Sequence, residues 1–387
     1  MRRWLSLLLV TFVLAAAFPL IGCGDKEPKE AYKVGAVFAV TGANGPLGTP
    51  EKQTVEMMVA QINASGGVNG HPLEVIIYDT QSDATTCVTL VNRLILQDNV
   101  LAIIGPSSTG ESMALIDTIT AAEISLVSCA AGITIVTPVA ERKWVFKTPQ
   151  SDVFAAQNLC EYIKGLGMTK IAIITDNLGF GAGGKAVLVA QAPNYGLTIV
   201  ADPQFDNNDS DMSPYITQIA STSAQAVICW GTNPGPANVA KAMAAQNVTL
   251  PLFSSHGIAN KKFIELGGTA VNGVIFTAGK LLVASQLSAD DPQKTVLTQY
   301  LADFEAKYGA GTANPFGGYA YDALKLVVMA LEKAGPDKAK VRDEIEKITN
   351  YAGVTGIFDV SAQDHMGLTS DSFVLIKIVN GQWTWLH

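Results

Sequence analysis

Three loops rich in small and hydroxyl-bearing residues are where this sequence is best equipped to hold a small molecule. They are Thr41-Gly42-Ala43-Asn44-Gly45, Gly105-Pro106-Ser107-Ser108-Thr109-Gly110 and Ser128-Cys129-Ala130-Ala131-Gly132. Each follows a short apolar run that reads as a strand. In open α/β sheets ligands lie beyond the carboxyl ends of strands, where backbone N–H groups at helix starts can hold an anion. Two such loops at neighbouring strand ends, carrying Ser108, Thr109, Ala130, Ala131 and Gly132, would make a cradle for a carboxylate. The same residue types are also the ordinary material of turns.

Catalytic constellations are weak by comparison. Gly179-Phe180-Gly181-Ala182-Gly183-Gly184 contains G-x-G-x-x-G, with Asp202 closing the next strand, and so imitates a dinucleotide fingerprint. Its first glycine, however, lies beyond Asp176, Asn177 and Leu178, whereas the fingerprint needs it in the tight turn after the strand. The run around Ser108 would need glycine where Thr109 stands to form a nucleophile elbow. The four histidines, His71, His256, His365 and His387, show no metal-ligand spacing. No catalytic residue, cofactor or metal is assigned.

The elements that must position the loops alternate strand and helix. KVGAVFAV is followed by a helix with Thr49 as N-cap and Pro50 at its first position, then by LEVIIYD. Val55, Met58, Val59 and Ile62 give that helix one apolar stripe, and Gly66-Gly67 end it. Further helices over 84–97 and 110–122 separate strands LAIIG and ISLVS. A second run follows WVFKTPQS, with helices near 153–165, 183–192, 212–220 and 236–246 between strands KIAIIT, LTIVAD, AQAVICW, LPLFSS and GVIFTAG. Such strings build parallel doubly wound sheets, here two similar α/β lobes. Residues 293–349 are helical, and Asn380-Gly381 between apolar runs signals a type I′ hairpin. Late helices and a late hairpin need sheets built by earlier segments, so the chain must cross between lobes more than once.

Arg2 and Arg3 precede an uncharged run from Trp4 to Ile21, closed by Leu20-Ile21-Gly22-Cys23. The run is long enough to span a membrane, but its flanks are those of an export signal. It is similar to the bacterial lipoprotein signal, in which the cysteine receives a diacylglycerol and becomes the mature first residue. Residues 1–22 are then a signal peptide, Cys23 the lipidation site and 23–31 a charged spacer. Cleavage leaves about 365 residues, comfortable for two lobes. The formal charge of −8 becomes more negative once Arg2 and Arg3 are lost, and no basic cluster marks a nucleic-acid partner. Cys87, Cys129, Cys160 and Cys229 stand in apolar surroundings without C-x-x-C spacing and read as buried hydrophobes, a disulfide being the alternative.

Taken together, KVGAVFAVTG, INASGGVNGHPLEVIIYD, AIIGPSS, KTPQSD, DNLGFG, the GIAN containing Gly257, and FGGYAYDAL resemble the type I periplasmic binding proteins of ABC importers, in the leucine/isoleucine/valine-binding branch. The likeness runs from about residue 32 to about 380. It implies two lobes joined by three crossovers that close on a small ligand and then dock on a membrane permease driven by an ATPase. The expected bounds are 32–150 with 281–356 for the N-terminal lobe and 151–280 with 357–387 for the C-terminal lobe.

Carried over by position, the resemblance puts the ligand carboxylate near Thr109, Ala130 and Gly132. Leu47 and Phe180 fall where the family often has an aromatic and a tyrosine. Thr232 beside Trp230 lies on the second lobe's wall, with a core aromatic as the alternative reading of Trp230, and Tyr319 or Tyr321 closes the pocket. His256 occupies the place where amino-acid binders carry a glutamate for the α-ammonium. An ammonium buried without an anion is costly, so Asp152 and Asp176 become candidates for that role. If neither reaches, the ligand is an aromatic or short aliphatic acid without an amine, with His256 donating to it. Ser82 and Ser108 stand where the family's early disulfide would be, and Cys129 and Cys229 flank the cleft.

The expectation is therefore a lipid-anchored, extracytoplasmic, non-enzymatic binder of branched-chain amino acids or a related small carboxylate, serving an ABC importer by hinge closure. A ligand sensor for a signalling partner and an exported α/β enzyme are the alternatives from other classes.

Overall fold

The computed structural model of the chain describes residues 29–206 and 209–386. The signal peptide, Cys23 and the spacer up to residue 28 lie outside the described residues. Among those described, no helix is long and apolar enough to cross a membrane.

Two sheets organise the molecule. The first contains β1 (Tyr32–Phe38), β2 (Leu73–Asp79), β3 (Ala102–Ile104), β4 (Ser125–Ser128) and β5 (Val145–Lys147) in the order β2-β1-β3-β4-β5, all parallel. The helices between them are α1 (Gly45–Ala64), α2 (Ala84–Leu96) and α3 (Thr109–Ala122). Local signals set two of the starts. The Asp83 carboxylate accepts from Thr86 N at 2.7 Å to cap α2, and the Ser108 hydroxyl accepts from Glu111 N at 3.3 Å to cap α3.

Helix α1 departs from expectation. It starts at Gly45 with Asn44 as N-cap, so Pro50 sits inside it. The Gly45-Pro46-Leu47-Gly48 turn extends the helix backwards because proline is tolerated in a first turn, where N–H groups have no helical partner. Gly48 allows this, since a Cβ there would run into the backbone of Ala39. The earlier start brings Asn44 and Leu47 to the strand ends.

After β5 the chain enters α4 (Asp152–Gly165), capped by Ser151, whose hydroxyl accepts from Val153 N at 3.1 Å. It then builds the second sheet from β6 (Lys170–Asp176), β7 (Thr198–Ala201), β8 (Gln204–Phe205), β9 (Ala226–Trp230), β10 (Leu252–Ser254) and β11 (Ile275–Ala278). The interleaved helices are α5 (Gly179–Gln191), α6 (Ser213–Ala220), α7 (Gly235–Ala245) and α8 (Lys261–Gly267). The chain next returns to the first lobe with α9 (Lys294–Tyr308), α10 (Pro315–Ala334), α11 (Lys338–Ile345) and the short pair β12 (Tyr351–Ala352) and β13 (Ile357–Phe358). Antiparallel β14 (Val374–Val379) and β15 (Gln382–Leu386) finish the second sheet, in the order β15-β14-β11-β10-β9-β6-β7 with β8 on β6. Asn380 and Gly381 both have positive φ, 51° and 74°, as a type I′ turn requires.

Helix α10 lies along α1, its approach permitted by Gly317, where a Cβ would stand 2.7 Å from Thr54 Oγ1 of α1 and would also strike the Tyr300 hydroxyl of α9. Thr54 Oγ1 meets that hydroxyl at 2.8 Å and ties α1 to α9. Phe358, Val360, Met366 and Leu368 also pack into the core around β1. The final return to the second sheet therefore comes after Leu368 rather than at residue 357, because these apolar side chains are covered by the first lobe. The crossovers are stitched together by buried Gln150. Its Nε2 donates to Thr355 O at 2.8 Å and Ser372 O at 3.1 Å, and a Cβ at Gly279 would stand 2.8 Å from that nitrogen. Cys87, Cys129, Cys160 and Cys229 are buried, and no disulfide joins them among the described residues.

Candidate functional site

A cavity of about 200 Å³ lies between the lobes, at the carboxyl ends of β1, β3 and β4 on one side and of β6 and β9 on the other. The first lobe contributes Asn44, Leu47, Ser108, Thr109, Ala130 and Ala131, and the second Asp176, Phe180, Thr232 and His256. Phe316 and Tyr319 reach it from the first turns of α10, whose N-cap Asn314 accepts from Phe316 N at 3.1 Å. The lobes meet at the edge of this space, where a Cβ on Gly179 would stand 3.1 Å from Gly110 N.

The first-lobe wall is a shell of hydroxyls backed by carboxylates. Thr109 Oγ1 accepts from Gly132 N at 3.3 Å and keeps its own hydrogen to donate. Gly132 supports that loop from behind, since a Cβ would come within 2.6 Å of Thr109 Cγ2. Glu111, in the first turn of α3, accepts from Thr80 Oγ1 and from Ser108 Oγ, the latter at 2.6 Å. Deeper, Glu51 accepts from Ser107 Oγ and has a second oxygen without a partner. Burial pushes both carboxyls above the usual range, against the hydroxyl bonds that hold them down.

The second-lobe wall is built by α5. Asp176 ends β6, and its Oδ1 accepts from Leu178 N at 3.0 Å and Gly181 N at 3.1 Å, while Oδ2 accepts from Thr232 N at 3.3 Å. Burial raises its pKa and the three amides oppose that rise. The glycine run that imitates a dinucleotide motif serves packing. Side chains at Gly181 and Gly184 would collide with Asp176 and with the Trp230 indole, respectively.

His256 is 2% exposed and stands edge-on to Phe180 with centroids 5.3 Å apart. Burial, with Lys147 nearby, holds its pKa down to about 3, so it is a neutral imidazole with one donor and one acceptor nitrogen. Neither nitrogen has a hydrogen-bond partner, nor does the buried Tyr319 hydroxyl.

Four residues placed at the site by sequence lie behind or away from it. Asp152 is behind the wall, its Oδ1 accepting from Ile133 N at 3.1 Å and Val153 N at 3.0 Å, so it ties a first-lobe loop to the start of α4. Trp230 is fully buried behind Phe180, with ring centroids 5.8 Å apart. Tyr321 points to α9 and lies edge-on to Tyr300, because residues two apart on a helix lie on nearly opposite faces. Gly132 acts only through Thr109. Cys129 reaches the cavity wall, whereas Cys229 packs among Ala172, Ile174 and Val227 on the far side of β9. Asn44 comes from the first of the three candidate loops, whereas Glu111 and Phe316 are additions that the sequence reading does not make. The S-x-x-E spacing of Ser108 and Glu111 is a capping-box signature that could have flagged Glu111.

Two doubly wound lobes, a triple crossover and a buried interlobe cavity define an α/β binding protein of the two-lobed type. The chain belongs to the periplasmic binding protein family, whose model matches residues 31–382. It is a type I member, and the family works outside the cytoplasm as substrate-binding proteins rather than enzymes. A Leu/Ile/Val-binding protein of Rhizobium johnstonii is 24% identical over 96% of this chain and 97% of its own length. An amino acid binding protein of Pseudomonas aeruginosa is 26% identical, covering 80% of this chain and 81% of the relative. Among solved structures, an extracellular ligand-binding receptor from Rhodopseudomonas palustris HaA2 superposes with a TM-score of 0.87 at 27% identity, over 92% of this chain and 100% of that one.

Proposed function

We propose that this chain is the solute-binding component of an ABC importer and that its ligand is an α-amino acid. The ligand carboxylate lies on the Thr109 and Ala130–Ala131 wall, and its ammonium is held by Asp176. One observation carries this reading. The cavity wall includes Glu111 and Asp176 but no lysine or arginine. A carboxylic acid without an amine would bring a further acidic group into a buried site whose wall supplies no cationic side chain. A zwitterion brings its own cation, and Asp176 Oδ2, bonded only to Thr232 N, has a lone pair for it. The relatives named for amino-acid binding support the class of ligand.

Capture proceeds by closure of the lobes and involves no covalent step. A diacylglyceryl group on Cys23, with 24–31 as tether after removal of 1–22, holds the protein beside its permease at the membrane. The lobes run from 32 to 150 with the late helices, and from 151 to 280 with the terminal hairpin.

The test is calorimetry with the neutral amino acids and with benzoate, on wild type and Asp176→Asn. An amino acid should bind and lose at least roughly tenfold in the variant, because a buried ammonium loses its ion partner. Benzoate binding more tightly than any amino acid, and indifferently to Asp176→Asn, would overturn the reading in favour of an acid without an amine.

A further inference from the structure

Two buried polar groups on the cavity wall have no partner among the described residues. His256 and Tyr319 are 2% and 3% exposed, and neither ring nitrogen of the one nor the hydroxyl of the other makes a hydrogen bond. Buried polar groups in native proteins are nearly always paired. Two exceptions on the wall of one cavity point to a ligand that completes them.

Both groups are held in place by the crossovers. The His256 ring lies 5.1 Å from that of Phe373, which follows the last crossover, and the Tyr319 carbonyl accepts from Thr148 Oγ1 in the first at 2.8 Å. Phe180 stands edge-on to His256, and Phe316 stands edge-on to Tyr319 at 5.8 Å. Apolar rings thus frame two polar points, His256 on the second-lobe side and Tyr319 on the first. A purely aliphatic side chain would leave His256 and Tyr319 unsatisfied. A second carboxylate would meet Glu111 and Asp176 with no cation on the wall. A second ammonium at these two points would meet only a neutral imidazole and a phenol, which supply no anion.

We infer that the ligand's side chain ends in a neutral hydrogen-bonding group, a hydroxyl or a carboxamide, that meets His256 and Tyr319. The inference rests on the amino-acid reading above and narrows it, away from leucine, isoleucine and valine. A site built to hydrogen-bond such a group rejects the analogue lacking it far more strongly than an apolar pocket rejects a missing methylene.

The experiment uses two near-isosteric pairs, tyrosine with phenylalanine and asparagine with leucine, titrated by calorimetry into wild type, Tyr319→Phe and His256→Phe. At least one polar member should bind roughly tenfold or more tightly than its apolar partner. In Tyr319→Phe, which keeps the ring packing, that gap should shrink severalfold while the apolar member's affinity stays put. His256→Phe should act in the same direction, and thermal unfolding confirms that each variant is folded. Apolar members binding as tightly as polar ones, or a gap unchanged in both variants, overturns the inference and leaves the amino-acid reading standing. If no neutral amino acid binds the folded wild type, that reading fails and the inference falls with it.

Discussion

Gly179, at the start of α5 in the second lobe, lies directly against Gly110, at the start of α3 in the first. A side chain on Gly179 would put its first carbon 3.1 Å from Gly110 N and 3.2 Å from Gly110 Cα. Backbone meets backbone there, so no flexible side chain can swing aside. Gly179→Val should therefore prop the lobes apart and lower ligand affinity roughly tenfold or more, as the closed form becomes a minor state. Calorimetry reads the affinity, and small-angle scattering should show a ligand-saturated variant more extended than wild type. Equal affinity and equal dimensions would mean that this contact does not limit closure.

Thr109→Val keeps shape but removes the hydroxyl that faces the cavity and accepts from Gly132 N. Losing one hydrogen bond of this kind costs about 1 kcal/mol or somewhat more. Affinity should fall about tenfold, with the melting temperature within a few degrees of wild type. An unchanged affinity would put the ligand carboxylate elsewhere on the wall.

Adjacent glycines in α5 should respond in opposite ways. Gly184→Ala forces a methyl into the Trp230 indole and should destabilise the protein by about 1–3 kcal/mol. Gly183→Ala meets only Asp152 Oδ2 at 3.4 Å, ordinary contact, and should stabilise the helix by about 0.5–1 kcal/mol. Thermal melts of the two variants, one below and one above wild type, check this. A rise for Gly184→Ala would show that α5 does not pack on β9 as described.

Lys147 is buried at the end of β5, its Nζ donating to Pro149 O at 2.7 Å. Burial lowers its pKa from 10.5 to about 7, against the pull of Asp152 and Asp364. A folded-state pKa below the unfolded one means that the folded chain binds this proton more weakly. The stability involved is full above pH 10.5 and is lost progressively as pH falls towards 7. Relative to Lys147→Met, wild type should gain melting temperature between pH 7 and pH 10. Parallel curves for the two proteins would show that Lys147 stays charged in the fold.

What the sequence reveals is what local chemistry decides. The helices expected over 84–97, 110–122 and near 153–165 start at Ala84, Thr109 and Asp152, where Asp83, Ser108 and Ser151 cap them, and Asn380-Gly381 turns the hairpin, because each effect acts within three residues. Thr49-Pro50 misleads for the same reason. It is a good local start, overridden because Gly48 packs on Ala39 from another element. Helical periodicity alone separates Tyr319 from Tyr321, and applying it would have kept one and discarded the other. Glu51 was beyond reach, since its partner Ser107 comes from a different strand end 56 residues away. Asp152 lies one layer further from the cavity than its sequence position suggests, and of the two readings of Trp230 the core aromatic is the one the structure shows. Sequence position identifies the strand end, whereas the depth of a side chain depends on what packs across it.

The bond between Thr54 and Tyr300 joins residues 246 apart, and α10 covers α1 from a similar distance along the chain. During synthesis the face of the first sheet that α10 covers consequently stays open until the closing third emerges, while α2 and α3 already cover the other. Loop closure over such spans is slow, and this delays compaction. In a family that works outside the cytoplasm such an order suits export, since a translocation channel threads an extended polymer more readily than one already collapsed.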